Sequence, residues 1–264
     1  MGDERRNIPE PIKRAVRQRC GFGCVICGLP IYDYDHKPGF ARVRRHVAEE
    51  ITLLCPTHHA EKTRGLLTNA QVEAADLTPF NRGTGSTSPY SLWFGGTEPP
   101  IILMIGFTFT CVTDKRRPTW MWPLCLNGYK PFGFTLDEGG LLLNVDVRDS
   151  RHAQALVIRD SVMRVSSDVW DATLVGQTLT IREQAQSFLV EMDFNPPNVV
   201  RVNRYYCKAF GSQIDVKPDS ITVSGGELPN VTDIGGIRSR VDANIGMLFG
   251  DKPLGMTAGI RVGA

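Results

Sequence analysis

The chain has 264 residues, of which 42% are apolar and 22% charged, the balance of a folded globular protein and not of a disordered tail. No run reaches the ~20 apolar residues of a membrane-spanning helix, residues 101–106 being soon followed by charge, and Met1-Gly-Asp-Glu-Arg-Arg6 leads into proline without an apolar leader, so a cytoplasmic chain of two domains is expected. The net charge of +2 hides an asymmetry: residues 1–69 carry 12 Lys and Arg against 8 Asp and Glu, and the remainder 18 against 20, a basic bias of the kind that favours phosphate contact.

Pro9-Glu10-Pro11 opens a stretch in which Ile12, Ala15 and Val16 share one side at helical spacing while Lys13, Arg14 and Arg17 point elsewhere. The pattern predicts a short helix ending at Gly21. Residues 31–36 alternate and carry aromatics, as a strand does, and a second short strand is expected over 51–54. Pro56 then opens a helix running toward Lys62 and Arg64. Another helix starts from a Thr68 or an Asn69 cap and continues to residue 75. Composition changes at Asn81-Arg-Gly-Thr-Gly-Ser-Thr-Ser-Pro89, so the N-terminal domain is expected to span 1–80, followed by a linker over 81–100.

Beyond residue 100 the apolar period becomes two. Phe188, Val190, Met192 and Phe194 would share one face of a strand and Glu191 and Asp193 the other. Similar runs at 141–147, 156–165, 174–181, 199–202 and 221–223 are separated by turn residues at the spacing of a β-sandwich or barrel. Trp170-Asp171, Gly176 and residues 179–182 read as strand, turn and strand, and 194–198 as a tight connection. The glycine-rich stretch after Gly235 shows no period of its own.

Seven cysteines in a cytoplasmic chain argue against a disulfide framework, and four of them, Cys20, Cys24, Cys27 and Cys55, fall in the first quarter. Cys24-x-x-Cys27 and Cys55-x-x-His58 have the paired spacing of a closed tetrahedral zinc site. Thiolates and imidazole suit Zn²⁺ over Mg²⁺ or Ca²⁺, and four protein ligands leave no open position, so the ion's role would be structural. Cys20, one helical turn before Cys24, reads either as a spare ligand or as core. Four of the five histidines lie within residues 36–59, and Asp35, His36 and His59 nest inside the cysteine framework. Imidazole titrates near enough to neutrality to activate water, and a divalent cation held by a carboxylate and an imidazole can polarise a phosphoryl oxygen. Adjacent strand residues point to opposite faces, so Asp35 and His36 serve one centre only if the strand end is irregular or the ion lies beside the turn.

Cys24-Val-Ile-Cys27-Gly, then Tyr34-Asp-His36, then Ile51-Thr-Leu-Leu-Cys-Pro-Thr-His-His59-Ala-Glu-Lys62-Thr resembles the zinc-stabilised HNH (ββα-metal) endonucleases over residues 12–67, about a quarter of the chain. The resemblance implies that His36 is the general base, that Asp35 and His59 hold one catalytic divalent ion (Mg²⁺, Mn²⁺ or Ni²⁺), and that the structural zinc clamps the fold. Glu50 stands where family members usually carry Asn, a residue that fixes the loop and orients the base. Glu50 can replace it by hydrogen-bonding His36, where its charge would favour the imidazolium, or by ligating the ion; it is placed with His36 and His59 among the catalytic residues. Lys62, Arg44 and Arg45 are the expected nucleic-acid contacts. His46 reads either as facing phosphate or as a solvated loop residue.

The fold class expected is therefore α+β, a small zinc-stabilised ββα-metal domain followed by an all-β domain over residues 101–264. The function expected is hydrolysis of phosphodiester bonds in double-stranded DNA. Two rivals remain open: a catalytically silent zinc domain that binds nucleic acid, suggested by Glu50, and an assembly protein whose β domain takes a protein partner or ligand. Arg116, Arg117, Trp120 and Trp122 form either a grip on a single strand or an amphipathic patch.

Overall fold

Helix α1 (Glu10–Cys20) carries Pro11 in its first turn, where a missing N–H costs nothing, and stops at Gly21, whose φ of 69° lets the chain reverse and return hydrogen bonds to the Arg17 and Gln18 carbonyls. The computed structural model describes residues 7–96, 98–104, 107–110, 119–126, 128–137, 140–209, 212–218, 220–225, 240–242, 245–249 and 258–262. Strand β1 (Asp33–His36) begins two residues later than the sequence predicts and pairs antiparallel with β2 (Ile51–Leu54), Asp35 opposite Thr52 and His36 opposite Ile51. Between them the expected loop is shaped by a short helix α2 (Phe40–Val43) and a 3-10 turn (Ala48–Glu50). Helix α3 (Pro56–Thr63) follows β2 directly, with Cys55 extended at its N-cap. Helix α4 (Asn69–Leu77) settles the choice of cap: Thr68 accepts from the Gln71 N–H while the Gln71 side chain accepts from the Thr68 N–H. Ile8, Val16, Cys20, Val25, Ile51, Leu53, Leu54 and Val72 form the core of this unit.

The expected linker over 81–100 is replaced at its start by structure. Residues Phe80–Thr84 form helix α5, and the wholly buried Asn81 donates to the Gly21 carbonyl at 2.8 Å. A Cβ at Gly28, the knuckle glycine at φ 74°, would lie 2.3 Å from Asn81 Oδ1, so both the left-handed backbone and the close approach require glycine there. Ser88 closes the same corner, its hydroxyl donating to the Cys27 carbonyl at 2.6 Å. The chain divides into two compact units, Met1–Tyr90 with Arg164–Leu174, and Ser91–Met163 with Val175–Ala264. The boundary therefore lies about ten residues beyond the expected one, and a distant segment returns to complete the first unit. That segment is held by the Thr87 N–H to the Val165 carbonyl (2.8 Å), the Ser167 N–H to the Gly85 carbonyl (3.0 Å) and the Gln18 side chain to the Trp170 carbonyl (2.7 Å).

In the second unit, one sheet runs in the order Thr178–Gln184, Ser187–Asn195, Val199–Ala209, Ile101–Met104, Phe107–Thr110 and Arg240–Asp242, with Ser212–Val216 also on Val199–Ala209 and Ile221–Gly225 beside it. The other runs Ala258–Val262, Ile245–Phe249, Thr119–Leu126, Phe132–Asp137, Gly140–Arg148 and Gln154–Arg159. Their inner faces share a core: the Phe132 ring meets the Tyr205 ring at 4.8 Å, and Phe94 meets both Phe134 and Phe194. Strand Gly140–Arg148 alternates buried and half-buried side chains, as period-two patterning requires. The run expected over 156–165 is cut by a turn at Asp160 and Ser161, both at positive φ, and the run over 174–181 by Gly176 at φ 60°.

Phe188 departs from the face assigned to it. Ile181 pairs with Val190 but Arg182 with Phe188, so Leu189 is an extra residue that shifts the register. Leu189 and Val190 are both buried, and Phe188 turns half outward beneath the Arg182 and Arg204 guanidiniums, 3.9 and 4.8 Å from its ring. Arg116, Arg117 and the stretch from Gly235 to residue 239 lie outside the described residues; Trp120 is half exposed, and Trp122 carries Lys130 over its ring at 5.7 Å.

Candidate metal centre and adjoining acidic and histidine groups

The two knuckles meet because one precedes β1 and the other joins β2 to α3. Among the described residues, Cys24, Cys27, Cys55 and His58 are the group able to hold a metal ion, with their donor atoms all within 4.8 Å of one another. Cys27 Sγ lies 3.8 Å from Cys55 Sγ, and His58 Nδ1 lies 3.2 Å from Cys55 Sγ and 3.4 Å from Cys24 Sγ. Tetrahedral zinc with bonds of about 2.3 Å to sulfur places neighbouring sulfurs about 3.8 Å apart and sulfur and nitrogen slightly closer, so donor set and spacing fit the ion. The other ring nitrogen of His58 faces the Glu61 carboxylate at 3.9 Å, the side from which imidazole ligands are usually oriented. Burial, with the Cys24 and Cys55 sulfurs adding to it, pushes the Cys27 thiol up to about 12; a cation is what would let these sulfurs shed their protons together. Cys20 stands apart, buried against Thr52 and Asp76 at 3.8 and 3.7 Å, which decides for core.

Strand alternation separates Asp35 from His36. Asp33 and Asp35 face α3: Asp35 Oδ1 is 3.5 Å from His59 Nε2, and Asp33 Oδ2 is 3.9 Å from His59 Nδ1. The second Asp35 oxygen takes the Lys62 ammonium, which also donates to the His36 and Lys37 carbonyls at 3.1 and 3.2 Å. Lys62, expected on phosphate, is thus turned inward: its position at the seventh residue of α3 aims the stem at the end of β1, where three oxygens converge. Asp33 was not singled out by sequence, although its i,i+2 spacing from Asp35 marks the shared face.

His36 points into the α2 loop. Its Nε2 is 3.1 Å from His46 Nδ1, and Phe40 lies against both rings, stacked on His46 at 13° and tilted on His36 at 59°. His46 is accordingly half-buried and packed against Phe40 and His36, not a solvated loop residue. Burial, and next the proximity of His46, lower the His36 pKa below its ordinary value, which keeps the ring neutral. The Glu50 carboxylate is paired with the Arg45 guanidinium instead of with the His36 ring, and that pairing holds its pKa low. Arg45 is thereby occupied, while Arg42 and Arg44 are exposed on the same loop.

Beneath β1, the buried Asp76 of α4 accepts from Lys37 (2.7 Å), Thr52 (2.7 Å) and Arg19 (3.1 Å). Burial works to raise this carboxyl, and the Lys37, Thr52 and Arg19 donors outweigh it, holding the pKa below its ordinary value. A carboxyl depressed in the folded state contributes stability above its unfolded pKa of ~3.9 and loses it as pH falls through the folded value. Asp76→Asn is therefore expected to cost about 2 kcal/mol at pH 7, with the gap to wild type closing as the pH falls below about 4; chemical denaturation of both proteins across that range reads it.

No helix among the described residues is long and apolar enough to cross a membrane. Comparison of the chain with protein-family models, with curated proteins and with solved structures gave no match in any of the three.

Proposed function

We propose that the first unit is a metal-dependent endonuclease of the HNH (ββα-metal) type that hydrolyses phosphodiester bonds in double-stranded DNA. The observation that carries the reading is the approach of Asp35 Oδ1 to His59 Nε2 at 3.5 Å, at the end of the strand whose last residue, His36, faces the other side, so that a shared centre would lie beside the turn that follows β1. Supporting it, β1, β2 and α3 follow in that order, and the Cys24 and Cys27 donors of the turn before β1 meet those of Cys55 and His58 at the β2–α3 junction. Asp35 and His59 would hold the divalent ion, which when bound stabilises charge on the phosphoryl and leaving oxygens. Asp35 is fixed for this by the Lys62 ammonium on its other oxygen. His36, kept neutral by burial and by His46, can accept a proton from water at neutral pH. Arg42 and Arg44, exposed on the loop that follows His36, are assigned to phosphate. The second unit, without a further metal-binding group among its described residues, is assigned to targeting or docking.

The alternative, a silent nucleic-acid-binding zinc domain, is favoured by one fact, the engagement of Lys62 and Glu50 in ion pairs within the unit. Nicking of supercoiled plasmid by the zinc-loaded protein with Mg²⁺, Mn²⁺ or Ni²⁺ distinguishes the two. Cutting lost in EDTA and in His36→Ala is the expected result; DNA binding without cutting under all three ions would establish the silent domain.

A further inference from the structure

A base that activates water must be held so that one ring nitrogen carries a lone pair and points consistently, which takes a hydrogen-bond partner at the other nitrogen and packing against the ring face. Around His36 the sequence offers Glu50 for that purpose, and the structure removes it, since both Glu50 oxygens are engaged by Arg45. What touches the His36 ring instead is His46, Nδ1 to Nε2 at 3.1 Å, together with the ring of Phe40, centroids 5.0 Å apart. The arrangement is built by the loop itself. Helix α2 is capped by Gly39, whose φ of 85° turns the chain after β1, and by Arg44, at φ 47°, which turns it back and carries His46 over Phe40.

We propose that His46 is the positioning residue of this site, fixing the rotation of the His36 imidazole and deciding which of its nitrogens carries the proton. This rests on the nuclease reading given above. A neutral imidazole has one donor and one acceptor nitrogen, so the bond between His46 Nδ1 and His36 Nε2 couples the two tautomers: His36 is left with an open lone pair, on Nδ1, when its Nε2–H donates to His46 Nδ1, and that is the tautomer a base requires. Phe40, stacked nearly parallel to His46, holds that ring in plane. Removing the His46 ring frees His36 to turn and to exchange tautomers without touching the Asp35–His59 pair, which lies on the opposite face of β1.

The test compares wild type, His46→Ala and His46→Asn, whose side-chain amide places a hydrogen-bonding atom where the His46 Nδ1 stands. Zinc content and melting temperature establish that each variant is folded. Plasmid nicking is then resolved into kcat and KM, and long-range proton–nitrogen spectra report the His36 tautomer. His46→Ala is expected to lower kcat by about 10- to 100-fold with KM and zinc content unchanged, to shift the His36 nitrogen signals, and to be largely rescued by His46→Asn. Wild-type kcat and unmoved His36 signals in His46→Ala overturn the proposal. If wild type does not cut, while His36 signals still respond to His46→Ala, the hydrogen bond stands but the nuclease reading, and any role of His46 in chemistry, are overturned.

Discussion

Stripping zinc from the protein at neutral pH is expected to abolish the cooperative unfolding transition of the first unit while leaving that of the second. The cluster joins the turn after α1 to the β2–α3 junction, and Cys24 and Cys55 are themselves part of a core of few apolar side chains. Structural zinc contributes roughly 10–16 kcal/mol of apparent binding free energy in small domains, which is comparable to or larger than the about 5–15 kcal/mol that separates a folded domain from its unfolded chain. Calorimetry with and without a strong chelator reads the loss directly, and Cys27→Ser should reproduce it without chelator. The proton balance gives a second check. The metal-free Cys27 thiol is pushed up to about 12, so binding must displace protons from thiols that would otherwise keep them, and zinc affinity must rise with pH and fall in acid. A first-unit transition indifferent to chelator, to Cys27→Ser and to pH would mean that the four side chains hold no metal.

The parts of this arrangement that sequence discloses are the local ones. Cys24-x-x-Cys27 and Cys55-x-x-His58 are each short enough for spacing alone to put both donors on one ion, and α1, β2, α3 and α4 follow from periodicity, proline and a Thr68 cap. Contacts set by chain reversal were not readable. The His36–His46 pair depends on the backbone turns at Gly39 and Arg44, and the inward course of Lys62 depends on carbonyls that strand pairing delivers. A Gly-, Ser- and Thr-rich stretch reads as a linker, yet Asn81 and Ser88 make its backbone part of the knuckle. One inserted residue, Leu189, reversed the face of Phe188 where period-two counting assumed an unbroken strand. Least accessible was Asp171, read as a turn-flanking residue of the β domain though its carboxylate lies in the first unit.

Asp171→Ala is accordingly expected to destabilise the first unit by about 3–5 kcal/mol, the usual result of leaving a buried ion without its partner. Arg17, 2% exposed, donates from Nε to Asp171 Oδ1 at 2.8 Å and from Nη2 to Oδ2 at 2.7 Å, across 154 residues of sequence. Arg14 adds a bond to Oδ2 at 3.3 Å and lies over the Trp170 ring at 4.5 Å. Without Asp171 the buried guanidinium would keep Tyr34, at 2.7 Å, and Glu10, at 2.5 Å, but the Glu10 side chain is 55% exposed and a weak substitute. Burial alone works against the Arg17 charge, and Asp171 followed by Glu10 reverses that effect. Because Arg17 also bonds Tyr34, which lies between Asp33 and Asp35 on β1, the lost pairing should loosen the strand that carries the candidate site. Replacing both partners, Arg17→Met with Asp171→Leu, should recover much of the loss, since an apolar pair of similar volume has no charge to desolvate. The same contact bears on where the unit ends. A fragment of residues 1–80 lacks α5 and the 164–174 segment, so it retains the zinc ligands but leaves Arg17 buried without its counterion, and it should melt well below the full chain even when saturated with zinc. Equal stability of that fragment and the full-length first unit, measured by the same denaturant titration, would show that the returning segment adds nothing and that Arg17 finds water or another acceptor in its place.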